Sequence, residues 1–216
     1  MKMRDLEIRR EIMIHSDLEG RGISDPEILS AMREVPREEF VPEEFREQAY
    51  EDYPLPIEEG QTISQPYIVA YMAAALELSR EDRVLEIGTG SGYSAAVLSR
   101  IVSQVFTKER FASLADNAKE RLQRLGYDNI RISVGDGTLG WPEEAPFDAI
   151  LVTAGAPRVP EPLLKQLVVG GRLVIPVGPG RIGQSLVRVR RIMEDEYLEE
   201  HLLAVQFVPL IGAAGW

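Results

Sequence analysis

Val84-Leu85-Glu86-Ile87-Gly88-Thr89-Gly90-Ser91-Gly92-Tyr93 is a short apolar run that ends in an acid and opens into three alternating glycines. It predicts a strand, a tight turn and a helix start. Val84, Leu85 and Ile87 suit a strand buried on both faces, as a parallel sheet requires. Gly88, Gly90 and Gly92 let the backbone bend sharply and approach a ligand without Cβ interference. Residues 94–102 are apolar and helix-compatible, so the first amide N–H groups of that helix face whatever sits over the turn. A dinucleotide fingerprint reads G-x-G-x-x-G/A, and Tyr93 stands where its third small residue belongs, which weakens a dinucleotide reading. On its own, the same pattern also serves as a plain tight turn.

Downstream, the apolar runs alternate with helical spacing. Residues 104–109 read as a second strand ending in Glu109, about twenty residues beyond Gly88. An acid there can accept hydrogen bonds from both ribose hydroxyls of an adenosine, or stand as a solvated strand-end charge. Residues 111–125 place Leu114, Ala118, Leu122 and Leu125 on one helix face, with Gly126 as the stop. A third strand over 130–134 runs into Gly135-Asp136-Gly137-Thr138, where Asp136 can meet an adenine amino group or close an Asx turn. Strands at 147–153 and 171–177 flank a helix over 160–167. This alternation implies a parallel sheet with helices on both faces. It ends with two strands, 184–192 and 197–207, expected as an antiparallel hairpin on one sheet edge.

Upstream, residues 5–18 have helical spacing, and Ser24 with Glu27 offers a capping box for a helix that Pro36 ends. A short helix is expected within 38–50, with Pro42 in its first turn. Residues 52–65 read as an extended loop stopping at Ser64, a reasonable N-cap for a helix over 67–78 with Pro66 in its first turn. These N-terminal helices lack a sheet. Residues 1–80 are therefore expected as an addition packed on an 81–216 core, within a single domain over 1–216.

Composition narrows the chemistry. The absence of cysteine excludes disulfides, thiolate nucleophiles and Cys-ligated zinc, and His15 and His201 are too few and too separated for a metal cluster. No metal is expected. A net charge of −11 argues against a broad phosphate-binding face, so no nucleic-acid partner is expected, and Arg188, Arg190 and Arg191 read as the wet face of a strand. No apolar run is long enough to span a bilayer. The charged start Met1-Lys2-Met3-Arg4-Asp5 lacks a signal peptide's apolar middle, so the expected location is cytoplasmic.

The pattern E-x-G-x-G-x-G, with acids at the ends of the next two strands, resembles the class I S-adenosylmethionine-dependent methyltransferases. More narrowly, the chain resembles the protein-L-isoaspartate O-methyltransferase family. The residues carrying that likeness are Val35-Pro36-Arg37, Phe40-Val41-Pro42, Gly60-Gln61-Thr62-Ile63-Ser64-Gln65-Pro66, the 84–93 turn, Gly135-Asp136-Gly137-Thr138, Val152-Thr153-Ala154-Gly155-Ala156-Pro157, the 170–178 run and Phe207-Val208-Pro209-Leu210. The 60–66 segment and 207–210 are the more particular to this family. Two departures are Lys108, where the family usually has an apolar residue, and Gly155, where alanine is common.

The resemblance implies a Rossmann-like α/β fold with a seven-stranded, mostly parallel sheet and a terminal antiparallel hairpin. It implies methyl esterification of the free α-carboxylate of L-isoaspartyl residues in damaged proteins and peptides, with S-adenosyl-L-methionine as cofactor and S-adenosyl-L-homocysteine as product. Ser64 is implied as the catalytic residue, and Thr62, Ile63, Ser64 and Gln65 as substrate-binding. The implied cofactor contacts are Thr62, Ile63, Ser64, Glu86, Gly88, Gly90, Gly92, Glu109, Asp136, Gly137 and Gln184. A monomer is expected. Alternatives are a class I methyltransferase acting on RNA or a small molecule, or a non-catalytic S-adenosylmethionine-binding module. The adenine-amino methyltransferases carry Asp/Asn-Pro-Pro-aromatic after the fourth strand, where this chain has Thr153-Ala154-Gly155-Ala156-Pro157. The cytosine-C5 group needs a cysteine nucleophile, which is absent.

Overall fold

The computed structural model describes the backbone of residues 3–216 and side chains from residue 5 onward; the first residues of the charged start lie outside the described residues. The chain opens with α1 (Met3–Ile12), continues as a π-helical stretch over Met13–Leu18, and reaches α2 (Pro26–Glu34). A two-stranded antiparallel hairpin follows, β1 (Leu55–Pro56) with β2 (Thr62–Ile63), and then α3 (Pro66–Ala75). The α/β succession begins with β3 (Arg83–Ile87), α4 (Tyr93–Ser99), β4 (Gln104–Glu109), α5 (Ala112–Arg124) and β5 (Ile130–Val134). It continues with β6 (Phe147–Val152), α6 (Glu161–Lys165) and β7 (Leu167–Val177), and closes with β8 (Gln184–Met193) and β9 (Glu196–Val205).

The seven-stranded sheet has the order β5-β4-β3-β6-β7-β8-β9. The first five strands pair in parallel, β8 runs against β7, and β9 against β8. The chain moves outward from β3 to β5 and then returns to lay β6 against the other side of β3. The carboxyl ends of β3 and β6 therefore flank a topological switch point, where open α/β sheets bind their ligands.

Alternation along β3 divides the core. Val84 faces a cluster formed with the N-terminal helices, α3, α4 and α5, while Leu85 and Ile87 face a second cluster with Phe106, Ile150, Leu163 and Leu210. Helices thus cover both faces, but unequally, because only the short α6 and irregular segments cover the second. Residues 6–76 contribute continuously to the first cluster, whose burial they share with the sheet. Among the described residues, no helix is long and apolar enough to cross a membrane.

Several local expectations change for identifiable reasons. α2 is capped by Asp25 rather than Ser24: its carboxylate accepts from the amides of Glu27 (2.9 Å) and Ile28 (3.4 Å). The 38–50 segment forms 3-10 turns, Arg37–Glu39 and Glu43–Gln48, with Pro42 preceding the second turn instead of entering it. Gln65, not Ser64, occupies the N-cap of α3, without a side-chain cap. The orphan amide of Tyr67 instead donates to Asp52 Oδ1 at 2.8 Å. A carboxylate from 15 residues away does the work a serine cap would have done.

Candidate active site

The main cleft is built from four strand ends. Ile87 and Gly88 come from β3, Lys108 to Phe111 from β4, Gly137 from beyond β5, and Thr153 and Ala154 from beyond β6. Gln61 and Thr62 close one side and residues 208–211 the other. Gly88 has φ +99°, and a Cβ there would lie 2.3 Å from Thr153 Oγ1, which donates to the carbonyls of Ile87 and Gly88 at 3.0 Å each. At Gly137 a Cβ would meet Ile87 Cγ2 at 2.4 Å. Only glycine lets these two turns approach so closely.

Glu109 ties the cleft together. One carboxylate oxygen accepts from Gly90 N (3.0 Å), the other from Arg110 N (2.8 Å) and Phe111 N (3.1 Å), so β4 is bonded directly to the glycine turn. Glu86 lies beneath that turn, fully buried, and is not a lining residue. One of its oxygens accepts from Thr107 Oγ1 at 2.6 Å, and Thr107 is in turn bonded to Thr89 at 2.7 Å. The other oxygen, Oε1, has no hydrogen-bond partner. Burial pushes the Glu86 carboxyl up to about 7, against the opposing hydrogen bond of Thr107.

A second cavity adjoins the cleft, lined by Thr62, Ile63, Ser64, Gly88, Gly90, Tyr93, Ser94 and Thr153 among others. A wider surface groove runs from Pro54, Ser64, Gln65 and Ile68 to Arg181 and the 204–208 segment. Thr62 and Thr153 line all three spaces, and Ser64 lines the second cavity and the groove. With the cap taken over by Asp52, the Ser64 hydroxyl has no hydrogen-bond partner among the described residues, while its backbone carbonyl accepts from Arg37 Nη2 at 2.7 Å. Arg37 is fully buried; its Nε donates to Ala49 O at 2.7 Å, and its guanidinium lies 4.7 Å from the centre of the Tyr93 ring.

The structure thus brings together Thr62, Ile63, Ser64, Gln65, Gly88, Gly90, Glu109 and Gly137. Four other expected residues stand behind the surface. Gly92 caps α4 and packs toward Leu122 and Ala118. Asp136 accepts from Thr138 N (2.8 Å), Thr138 Oγ1 (2.7 Å) and Ala213 N (2.8 Å), which ties the 208–216 segment down. Burial alone would raise its carboxyl, but these bonds and nearby Lys108 hold it below the usual carboxylate range. The Gln184 amide binds both backbone groups of Phe207 and the Gly180 carbonyl, and Gly155 leaves room for it, since a Cβ there would lie 2.3 Å from Gln184 Nε2. Glu86 is the fourth. Lys108 donates to Gly140 O at 2.9 Å and still lines the cleft. Thr153, Arg37 and Arg181 were missed as site residues; of these, Thr153 had a sequence signal, its place directly after a buried strand.

The sheet order and the glycine turn at its switch point define a class I methyltransferase. The chain belongs to the protein-L-isoaspartate(D-aspartate) O-methyltransferase family, which matches residues 8–215. It is 67% identical over 214 residues to protein-L-isoaspartate O-methyltransferase 2 of Pelobacter propionicus, covering 99% of this chain and 95% of that one. The same identity holds to protein-L-isoaspartate O-methyltransferase 1 of Geotalea uraniireducens, over 99% of this chain and 98% of the relative. A solved protein-L-isoaspartate O-methyltransferase superposes with TM-score 0.84 at 34% identity, over 95% of this chain and 67% of the other. A putative enzyme of that name from Plasmodium falciparum, in complex with S-adenosyl-L-homocysteine, gives TM-score 0.81 at 27% identity, over 94% and 98% of the two chains.

Proposed function

We propose that this chain methylates the free α-carboxylate of L-isoaspartyl residues in damaged proteins and peptides, initiating their repair, with S-adenosyl-L-methionine as donor. The observation that carries the reading is the shared lining: Thr62 and Thr153 border the strand-end cleft and the surface groove at once, and Ser64 lines the groove and the cavity beside the cleft. The donor set fits this cofactor. An acid at the β4 end reaches the cleft, the glycines leave space where a Cβ would intrude, and the unpartnered oxygen of buried Glu86 is complementary to a cationic ligand. Glu109, Gly88, Gly90 and Gly137 would hold its adenosyl part, and Thr62, Ile63 and Ser64 the end bearing the methyl group. Glu86, Gly92, Asp136 and Gln184 support these groups from behind.

When bound, S-adenosylmethionine supplies a methyl group on a cationic sulfur, whose bond breaks as the acceptor oxygen takes the methyl. The acceptor needs no general base, since an α-carboxyl group with a reference pKa of about 3.5 is already ionised. The protein's tasks are alignment and removal of water from the nucleophile. The Ser64 hydroxyl donates to the carboxylate and orients it. A neutral donor suits a reaction in which charge is neutralised, because a direct cation clamp would hold the ground state more firmly than the transition state. Gln65 and residues 204–208 flank the entering peptide.

The reading further takes the chain as one functional unit, residues 1–80 with the 81–216 core, acting as a cytoplasmic monomer without metal. Its test is a methyl-transfer assay on one peptide in isoaspartyl and normal aspartyl forms. Esterification of the isoaspartyl form alone is expected; equal labelling of both, or of neither, overturns the proposal.

A further inference from the structure

The acceptor side rests on a charged group that the mechanism above leaves unused. Arg37 is fully buried. Its Nε and Nη2 donate to two backbone carbonyls, those of Ala49 and Ser64, each at 2.7 Å, and its Nη1 has no hydrogen-bond partner. Among the described residues no carboxylate bonds to it, and Asp52 acts on it only through space. Its plane lies over Tyr93, the first residue of α4, which follows the glycine turn. The guanidinium therefore links three pieces of chain: the end of the 43–48 turn, the loop carrying Ser64, and the start of the helix under the donor cleft.

A buried guanidinium without a bonded counterion is costly to maintain, and replacing a buried charged group by an apolar one is often stabilising. Its position suggests what it supplies instead. The bond to the Ser64 carbonyl fixes the backbone from which the acceptor-facing hydroxyl projects. The positive charge acts from behind that same residue, so an anion entering the groove feels it at low dielectric without touching it. A direct clamp would hold the anionic ground state more firmly than the partly neutralised transition state; a cation set back by one residue attracts the acceptor more weakly and leaves its oxygens free to react.

We propose that Arg37 is a positioning residue for methyl transfer: it holds Ser64 in place and, as a buried cation with no bonded carboxylate, makes the acceptor site select a carboxylate over a neutral group of the same shape. This rests on the isoaspartyl methyltransferase reading above.

The test compares wild type, Arg37→Lys and Arg37→Met, with S-adenosylhomocysteine titration by calorimetry counting folded, cofactor-competent molecules. Two readouts follow: kcat per competent molecule with an isoaspartyl peptide, and the ratio of binding constants for that peptide and its isoasparagine amide analogue. Arg37→Lys keeps the charge but cannot bridge two carbonyls; kcat is expected to fall about tenfold with the carboxylate-over-amide ratio retained. Arg37→Met is expected to lose that ratio by about tenfold as well. If competent Arg37→Met, or Arg37→Lys should the former not fold, turns over like wild type, the positioning role is overturned. If Arg37→Lys loses carboxylate preference as fully as it loses turnover, the charge role is overturned. Wild type that binds S-adenosylhomocysteine yet methylates no isoaspartyl peptide would instead sink the functional reading.

Discussion

Two fully buried ionisable side chains, Glu86 and Arg37, stand behind the site, and each keeps one polar atom without a partner among the described residues. Glu86 sits under the glycine turn and Arg37 behind Ser64; in the proposed reading these are the donor side and the acceptor side, the carboxylate backing the place of a cationic ligand and the guanidinium that of an anionic one. They differ in how they are held. Glu86 is fixed through side-chain hydroxyls, Thr107 and then Thr89, whereas Arg37 grips main-chain carbonyls. A hydroxyl network can adjust to a proton or a ligand; a guanidinium fork sets backbone position. The donor side is thus electrostatically adjustable, and the acceptor side geometrically fixed.

The largest expected effect breaks the donor side outright. Gly88→Ala places a Cβ 2.3 Å from Thr153 Oγ1 at φ +99°, and is expected to cost about 4 kcal/mol in S-adenosylhomocysteine affinity and stability combined. Titration calorimetry with an unchanged dissociation constant would show that the turn tolerates more than its geometry implies.

Glu86→Gln tests the adjustable half. A carboxyl raised from its ordinary 4.5 to about 7 binds its proton more tightly in the folded state, so apo-protein stability falls as pH rises between those values. The full cost, about 3 kcal/mol, is present above pH 7. Glu86→Gln should therefore melt higher than wild type at pH 8, with the gap closing toward pH 4.5. A gap independent of pH would mean the group does not titrate in this range.

Smaller effects sharpen the division. Glu109→Ala removes the acceptor of three backbone amides and should weaken S-adenosylhomocysteine binding by about 2 kcal/mol. Equal affinities by calorimetry would displace it from the donor site. Ser64→Ala should lower kcat about tenfold, roughly 1.4 kcal/mol, and leave S-adenosylhomocysteine affinity unchanged. A loss in affinity with kcat intact would move Ser64 from the acceptor half to the donor half.

The donor half was legible because its signals are local. Apolar runs mark β3, β4 and β6 directly, and the glycine turn after β3, Glu109 closing β4 and Gly135-Asp136-Gly137 after β5 mark the ligand-facing ends. What lies behind them was not legible: Asp136 and Gln184 turn toward the 207–213 segment, more than twenty residues away in sequence, so nothing adjacent to either announces its partner. The acceptor half was harder still. Ser64 has the residue type and position of a helix cap, and only the fold brings Asp52 to the amide of Tyr67 in its place. Arg37 reads as one more charge beside a proline until packing encloses it.

Thr62 and Thr153 wall the strand-end cleft and the surface groove alike, so in the proposed reading single side chains stand between nucleoside and peptide. A single compound joining an adenosyl group to a short peptide through a linker would engage both while losing its translational freedom only once, so its affinity should exceed that of either fragment by orders of magnitude. The shared wall makes tethered bisubstrate inhibitors the natural chemical probe of this molecule.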